Sequence, residues 1–148
     1  ELAVPASLRA AVTTRARRVG RDVEELLRAA AVVGEVFDLE AVAELLGIPL
    51  EETVRRAERA LQAHLLVEDL NRYRFVNALV REVLYETSPA PSRLVRHRRL
   101  AELFADRPES AAAHAAAAGD WETAARNWLT AARQAAARLA NRDAEAVA

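Results

Sequence analysis

The sequence predicts a mainly α protein with one small β-hairpin, built as a helix-and-hairpin unit followed by an antiparallel helical array. Three observations carry this expectation. Apolar residues recur at i, i+3, i+4 and i+7 along most of the chain, the spacing of helices with one buried face. Between Tyr73 and Glu86 the pattern changes within a few residues from alternation to helical spacing, which marks a strand feeding into a helix. Gly119-Asp120, followed by Trp121, Ala124, Ala125 and Trp128, reads as a tight turn between two packed helices.

In chain order, Val4-Pro5 followed by Leu8, Ala11 and Val12 predicts a first helix that runs to about Val19-Gly20. Asp22 is placed to cap a second, in which Val23, Leu26, Leu27, Ala30 and Val33 face a core and Gly34 ends the helix. Val36-Phe37 suits a stub of strand. Asp38 is placed to cap a helix carrying Leu39, Val42, Ala43 and Leu46, closed by Gly47. Pro49-Leu50 starts the next, with Leu50, Val54, Ala57 and Leu61 expected inward and an end near His64.

Residues 65–69 and 72–76 then form two strands joined at Leu70-Asn71, with Phe37 and Phe75 as structural core residues. Tyr73 and Phe75 alternate with Arg72 and Arg74, the signature of a strand with one wet face. Asn77 caps the following helix, which buries Leu79, Val80, Val83 and Leu84. Helix, strand stub, helix, helix, hairpin is the element order of a winged helix, in which 39–46 and 50–62 form a helix-turn-helix.

Pro89 and Pro91 are expected to form a rigid connector, and a helix follows from Ser92 with Leu94, His97, Leu100, Ala101 and Phe104 on one stripe. Pro108 breaks it. Beyond Gly119, the indoles of Trp121 and Trp128 are expected to fill gaps beside the small residues Ala124 and Ala131 in the core. This is the spacing that a tetratricopeptide-type repeat uses across its turn. Asn141 reads as the start of a further helix, and the chain, lacking an initial Met, reads as a piece of a larger protein.

Composition narrows the function. Twenty-one basic and 22 acidic residues leave a net charge of -1, too little to draw the whole molecule to nucleic acid or anionic membrane. No cysteine is present, which excludes disulfides and thiolate metal sites and fits a reducing cytoplasm, the expected location. His64, His97 and His114 are too scattered for a metal cluster. The apolar runs fall short of a membrane span. The chain contains none of the phosphate-binding glycine loops, nucleophile elbows or paired-histidine zinc motifs of the common enzyme classes, so no catalytic residue is assigned.

The remaining candidates are binding surfaces. Arg55, Arg56 and Arg59 lie on the outward face of the second helix of the helix-turn-helix, but Glu51, Glu52 and Glu58 nearly cancel them, so a protein-facing surface is favoured over a DNA-reading one. Arg96 and Arg99 belong to a second basic cluster, with Arg93 and Arg98, which suits an acidic partner surface or nucleic acid, while Glu102 and Asp106 within two turns favour a solvated face.

Four stretches, 27–38, 73–86, 97–101 and 118–125, together resemble the region that follows the ATPase core in bacterial signal-transduction ATPases with numerous domains, including large LuxR-type and antibiotic-regulatory-type transcriptional regulators. The resemblance implies a helix linking to an upstream ATPase core at 1–20, a winged helix at 21–88 and a tetratricopeptide-like segment at 89–148. It implies a non-catalytic regulatory role, with the winged helix acting on the core in cis and the repeats contacting a protein partner or inducer. No cofactor is implied for this segment itself, and ADP or ATP for the presumed parent. In related ATPases a His at the strand-to-helix junction reaches the ADP phosphate. Here Asn77 stands at that junction and is the candidate nucleotide-contacting residue, able to donate a hydrogen bond but uncharged, and Ala78 stands where an acid is common. Two other readings remain open: a DNA-binding winged helix with a helical dimerisation tail, and a helical-repeat scaffold.

Overall fold

A computed structural model describes residues 4–147. Among these residues it has eight helices and three short strands: α1 (Ala6–Val19), α2 (Arg21–Val33), β1 (Val36–Phe37), α3 (Leu39–Leu46), α4 (Leu50–Gln62), β2 (Leu66–Asp69), β3 (Arg72–Phe75), α5 (Ala78–Glu86), α6 (Ala90–Leu103), α7 (Pro108–Ala117) and α8 (Trp121–Val147). The chain divides into two compact units, with the boundary after Arg96.

The first unit is built around α2. Val23, Leu26, Leu27, Ala29, Ala30, Ala31 and Val32 are all buried, because α1, α3, α4 and α5 each pack against this helix. Alanines at 29–31 let those neighbours approach closely, so burial spreads well beyond the stripe expected from spacing. The three strands form an antiparallel sheet in the order β1-β3-β2. Phe37 pairs with Tyr73 and Leu66 with Phe75 in the register, which puts the rings of Phe37 and Phe75 5.5 Å apart inside the core. Both phenylalanines are fully buried, as expected.

Several local expectations change in the structure. Asp22 is not a cap: α2 starts two residues earlier than that cap would set it, after Gly20, and the Asp22 carboxylate accepts from Arg59 Nη1 at 2.7 Å. Gly20 has φ 151°, and a Cβ there would lie 2.5 Å from both Arg59 Nη2 and Asp22 Oδ1, so this ion pair occupies the space that only glycine leaves open. Asp38 precedes α3 but makes no capping bond; its carboxylate faces Arg72 Nε at 3.3 Å. Leu50, expected inward, is 42% exposed, and the buried face of α4 is Thr53, Ala57 and Ala60. Small residues on that face bring α4 against α2, and the Thr53 hydroxyl satisfies itself on the Pro49 carbonyl at 3.0 Å.

The helix α1 belongs to this unit, with Ala16 buried in the same core as α2. The unit also extends past residue 88 to Arg96. One reason is Arg93, whose guanidinium donates to the carbonyls of Tyr85, Glu86 and Ser88 and so ties the start of α6 to the end of α5. Pro91, expected in a connector, sits in the first turn of α6, where the missing N–H is not needed.

In the second unit α7 and α8 pack side by side across the turn at Gly119, whose φ is 78°. The Asp120 carboxylate accepts from the Thr123 N–H at 3.1 Å and caps α8 as expected. Ala111, Ala112, Ala115, Ala118 and Ala124 form the seam. Asn141 does not begin a new helix: α8 runs unbroken for 27 residues, because its alanine-rich sequence holds no Gly or Pro to stop it. Among the described residues no helix is long and apolar enough to cross a membrane.

Candidate functional site

The strand-to-helix junction is built by the sheet register. β3 ends at Phe75, whose ring is buried, and the chain leaves the sheet through the exposed Val76 and Asn77. Asn77 adopts an extended conformation, and its Oδ1 accepts the Val80 N–H at 3.0 Å, closing one of the free donors at the start of α5. The amide oxygen is therefore committed to the helix. The side chain is exposed, so its NH₂ group is what a ligand at this junction would meet.

The arginines of α4 are arranged very differently from a phosphate-binding row. Arg56 lies largely buried between Glu52, at 3.2 Å, and Glu25, at 3.5 Å, and donates to the Asp22 carbonyl. Arg59 holds Asp22 and the Val19 carbonyl. Arg55 pairs with Glu52 at the surface. Two of the three thus clamp α4 to α2 and to the end of α1. The same contacts act on the carboxylates. Hydrogen bonds from Arg55 and Arg56 outweigh desolvation and hold Glu52 below its ordinary value. For Asp22, burial pushes upward, but the Arg59 hydrogen bond, the Val23 N–H and the charges of Arg59 and Arg56 together push it below the usual range.

Arg28 was not singled out by sequence spacing, yet it is a hub of the first unit. From α2 its Nη1 reaches the Leu84 carbonyl at 3.1 Å, Thr87 Oγ1 at 2.8 Å and Ser88 Oγ at 3.2 Å, while its Nε faces Glu24 at 3.4 Å. A lone arginine inside an apolar stripe is the signal that marks it: a charge at a core-facing position needs a built partner set. Of the second basic cluster, Arg96 is half-buried and Arg99 is exposed near Glu102 at 3.6 Å.

His97 is buried on the stripe expected of it, and the structure adds that it meets His114. His97 of α6 and His114 of α7 are both buried, with their Nδ1 atoms 2.9 Å apart, so one ring donates and the other accepts. Phe104 packs on His114 with ring centroids 5.6 Å apart. Among the described residues no group of three or more His, Cys, Asp or Glu side chains could hold a metal ion.

The indoles overturn an expectation. Ala124 is fully buried against α7, but Trp121 is 66% exposed and Trp128 47% exposed. The reason lies in helical phase. Ala124, Asn127 and Ala131 form the face turned to α7, whereas Trp121, Ala125, Trp128, Ala132, Ala135 and Leu139 repeat at alternating steps of four and three on another face. That second stripe, about 30 Å long at the rise of an α-helix, is exposed throughout. Comparison with known proteins finds no match: no family model, no curated protein and no solved structure is similar to this chain.

Proposed function

We propose that this chain is a non-catalytic regulatory module, a winged helix followed by a tetratricopeptide-like helical segment, that works through protein contacts. The observation that carries the reading is the division of labour between its surfaces. The helix that would read a DNA groove spends Arg56 and Arg59 on clamping itself to α2, while α8 presents two large indoles on an exposed stripe. A DNA-binding helix keeps such cations for phosphates. Exposed tryptophans, in contrast, are what protein interfaces use as anchors. The hairpin order β1-β3-β2 and the helix pair α3 and α4 support the winged-helix assignment over a bare helical scaffold.

In the regulators this chain resembles, such a module acts in cis on a nucleotide-binding core, and the helical segment receives a partner or inducer. On that reading ADP or ATP belongs to the core, and Asn77 is the residue of this segment that would meet it. The chain itself needs no cofactor.

The two tryptophans, both on α8, make the reading directly measurable. Titrating the protein with duplex DNA at low salt is expected to give weak binding without sequence preference. Adding the protein partner is expected to shift the indole emission to shorter wavelength and to protect it from acrylamide quenching. Tight, sequence-selective DNA binding with a steep salt slope would overturn the proposal and favour a DNA-binding winged helix, whose exposed Arg74 on the hairpin would then be the first residue to examine.

A further inference from the structure

A cleft of about 570 Å³ opens beside α2 in the first unit, lined by Arg17, Arg21, Glu24, Glu25, Arg28 and Arg96. Its charges do not balance, since four arginines face two glutamates. Glu24 is engaged twice, by Arg17 Nε at 3.3 Å and by Arg28 Nε at 3.4 Å. Arg28 is further held by the carbonyl and hydroxyls at the end of α5. Glu25 is 3.5 Å from Arg56, on the side of α4. Arg21 and Arg96 are left over, with no ion pair or hydrogen bond to any described residue.

Arg96 is the more telling of the two. It is half-buried, and burial pushes its guanidinium below the ordinary arginine value; Glu25 opposes that push and Arg28 adds to it. A partly desolvated guanidinium has given up water without gaining acceptors, while its five N–H donors point in a planar fork that matches a tetrahedral oxyanion. Arg21 stands at the start of α2, where the helix dipole adds positive potential to its own charge.

We propose that this cleft binds a phosphate group in its dianionic form, with Arg96 and Arg21 as the two contacting residues and Arg17 and Arg28 as the surrounding positive wall. Two unmatched guanidinium groups neutralise two negative charges. The volume exceeds what phosphate alone fills and leaves room for a small group esterified to it. Glu24 and Glu25 repel the remainder of a polyanion, which directs the cleft toward a single phosphate. None of the lining residues belongs to the exposed α8 stripe or to the junction at Asn77, so the site does not depend on the regulatory reading.

Calorimetric titration at neutral pH and low salt tests it, with inorganic phosphate, phenyl phosphate and succinate as the probes. Saturable binding of either phosphate compound is expected, with succinate weaker by at least tenfold. Tighter binding of phenyl phosphate points to an esterified ligand, and equal or tighter binding of inorganic phosphate to the free ion; both support the cleft. Arg96→Gln and Arg21→Gln are each expected to weaken binding at least tenfold, while Arg74→Gln, on the exposed face of β3, leaves it unchanged. Arg21 is exposed, so its substitution keeps the test decisive even if Arg96→Gln disturbs packing. No saturable binding by the wild type, equal binding of succinate, or equal loss in the Arg74 variant would overturn the proposal.

Discussion

At the scale of single residues, His64 shows what a backbone position demands. It follows α4 with φ 58°, a left-handed conformation that a side chain with a Cβ adopts at a cost. The reason is the helix end: Leu65 N–H donates to the Ala60 carbonyl and His64 N–H to that of Leu61, the paired bonds of a Schellman motif, whose left-handed position usually holds glycine. His64→Gly is therefore expected to raise stability by about 1 kcal/mol, through relief of strain that exceeds the entropy lost on folding. Urea denaturation measures it, and an unchanged or lower midpoint would show that the imidazole makes a compensating contact. Asn77 is the contrasting case. There an extended backbone and a short polar side chain coincide, and the sequence position alone identifies the cap.

Among elements, α8 separates burial from size. Its smallest side chain facing α7, Ala124, is fully buried, while its largest ones are not. Ala124→Leu is expected to destabilise the second unit by about 1–3 kcal/mol, because the added methylenes have no space against α7. Trp128→Ala, despite removing far more apolar surface, is expected to change stability by less than about 1 kcal/mol, since that indole gains little from folding. Thermal unfolding followed by circular dichroism compares the two, and a larger loss for the tryptophan variant would place Trp128 in the core after all. The sequence located the start of this helix and its cap at Asp120. It did not reveal which apolar stripe is covered, because two stripes of similar width compete for one neighbouring helix, and only packing chooses between them.

For the molecule as a whole, charge is organised as internal pairing rather than as an external field, in keeping with a net charge of -1. Asp22 and Glu52 in the first unit and Asp120 in the second all sit below their ordinary values: arginine hydrogen bonds outweigh desolvation at Glu52, arginine and N–H donors together outweigh it at Asp22, and the Thr123 hydroxyl and N–H outweigh it at Asp120. A carboxylate whose folded value is lowered binds fewer protons in the native state than in the unfolded chain. Its stabilisation is thus present at neutral pH, intact above the unfolded value near 4, and lost as pH falls through the lowered one. Stability from urea unfolding is expected to be level from pH 7 to about 5 and to fall below roughly pH 4. Asp22→Asn is expected to make the acid limb shallower while lowering stability at neutral pH. An unaltered acid limb in that variant would assign the loss to other carboxylates.

Local patterning was enough for the order of elements up to the turn at Gly119, the hairpin and its turn, the cap at Asn77, and the buried status of Phe37 and Phe75, because period, turn chemistry and capping are local properties of the chain. The tertiary structure alone decided the partners. Asp22 reads as a cap until Arg59, 37 residues away, takes its carboxylate. Leu50 reads as core until the small residues Thr53, Ala57 and Ala60 turn α4 onto α2. Arg56 and Arg59 read as a surface row until α2 arrives to receive them, and Arg21 and Arg96 become a common wall only through the fold. Charges and indoles act through what lies opposite them, and residues far apart in sequence become opposite only when helices pack.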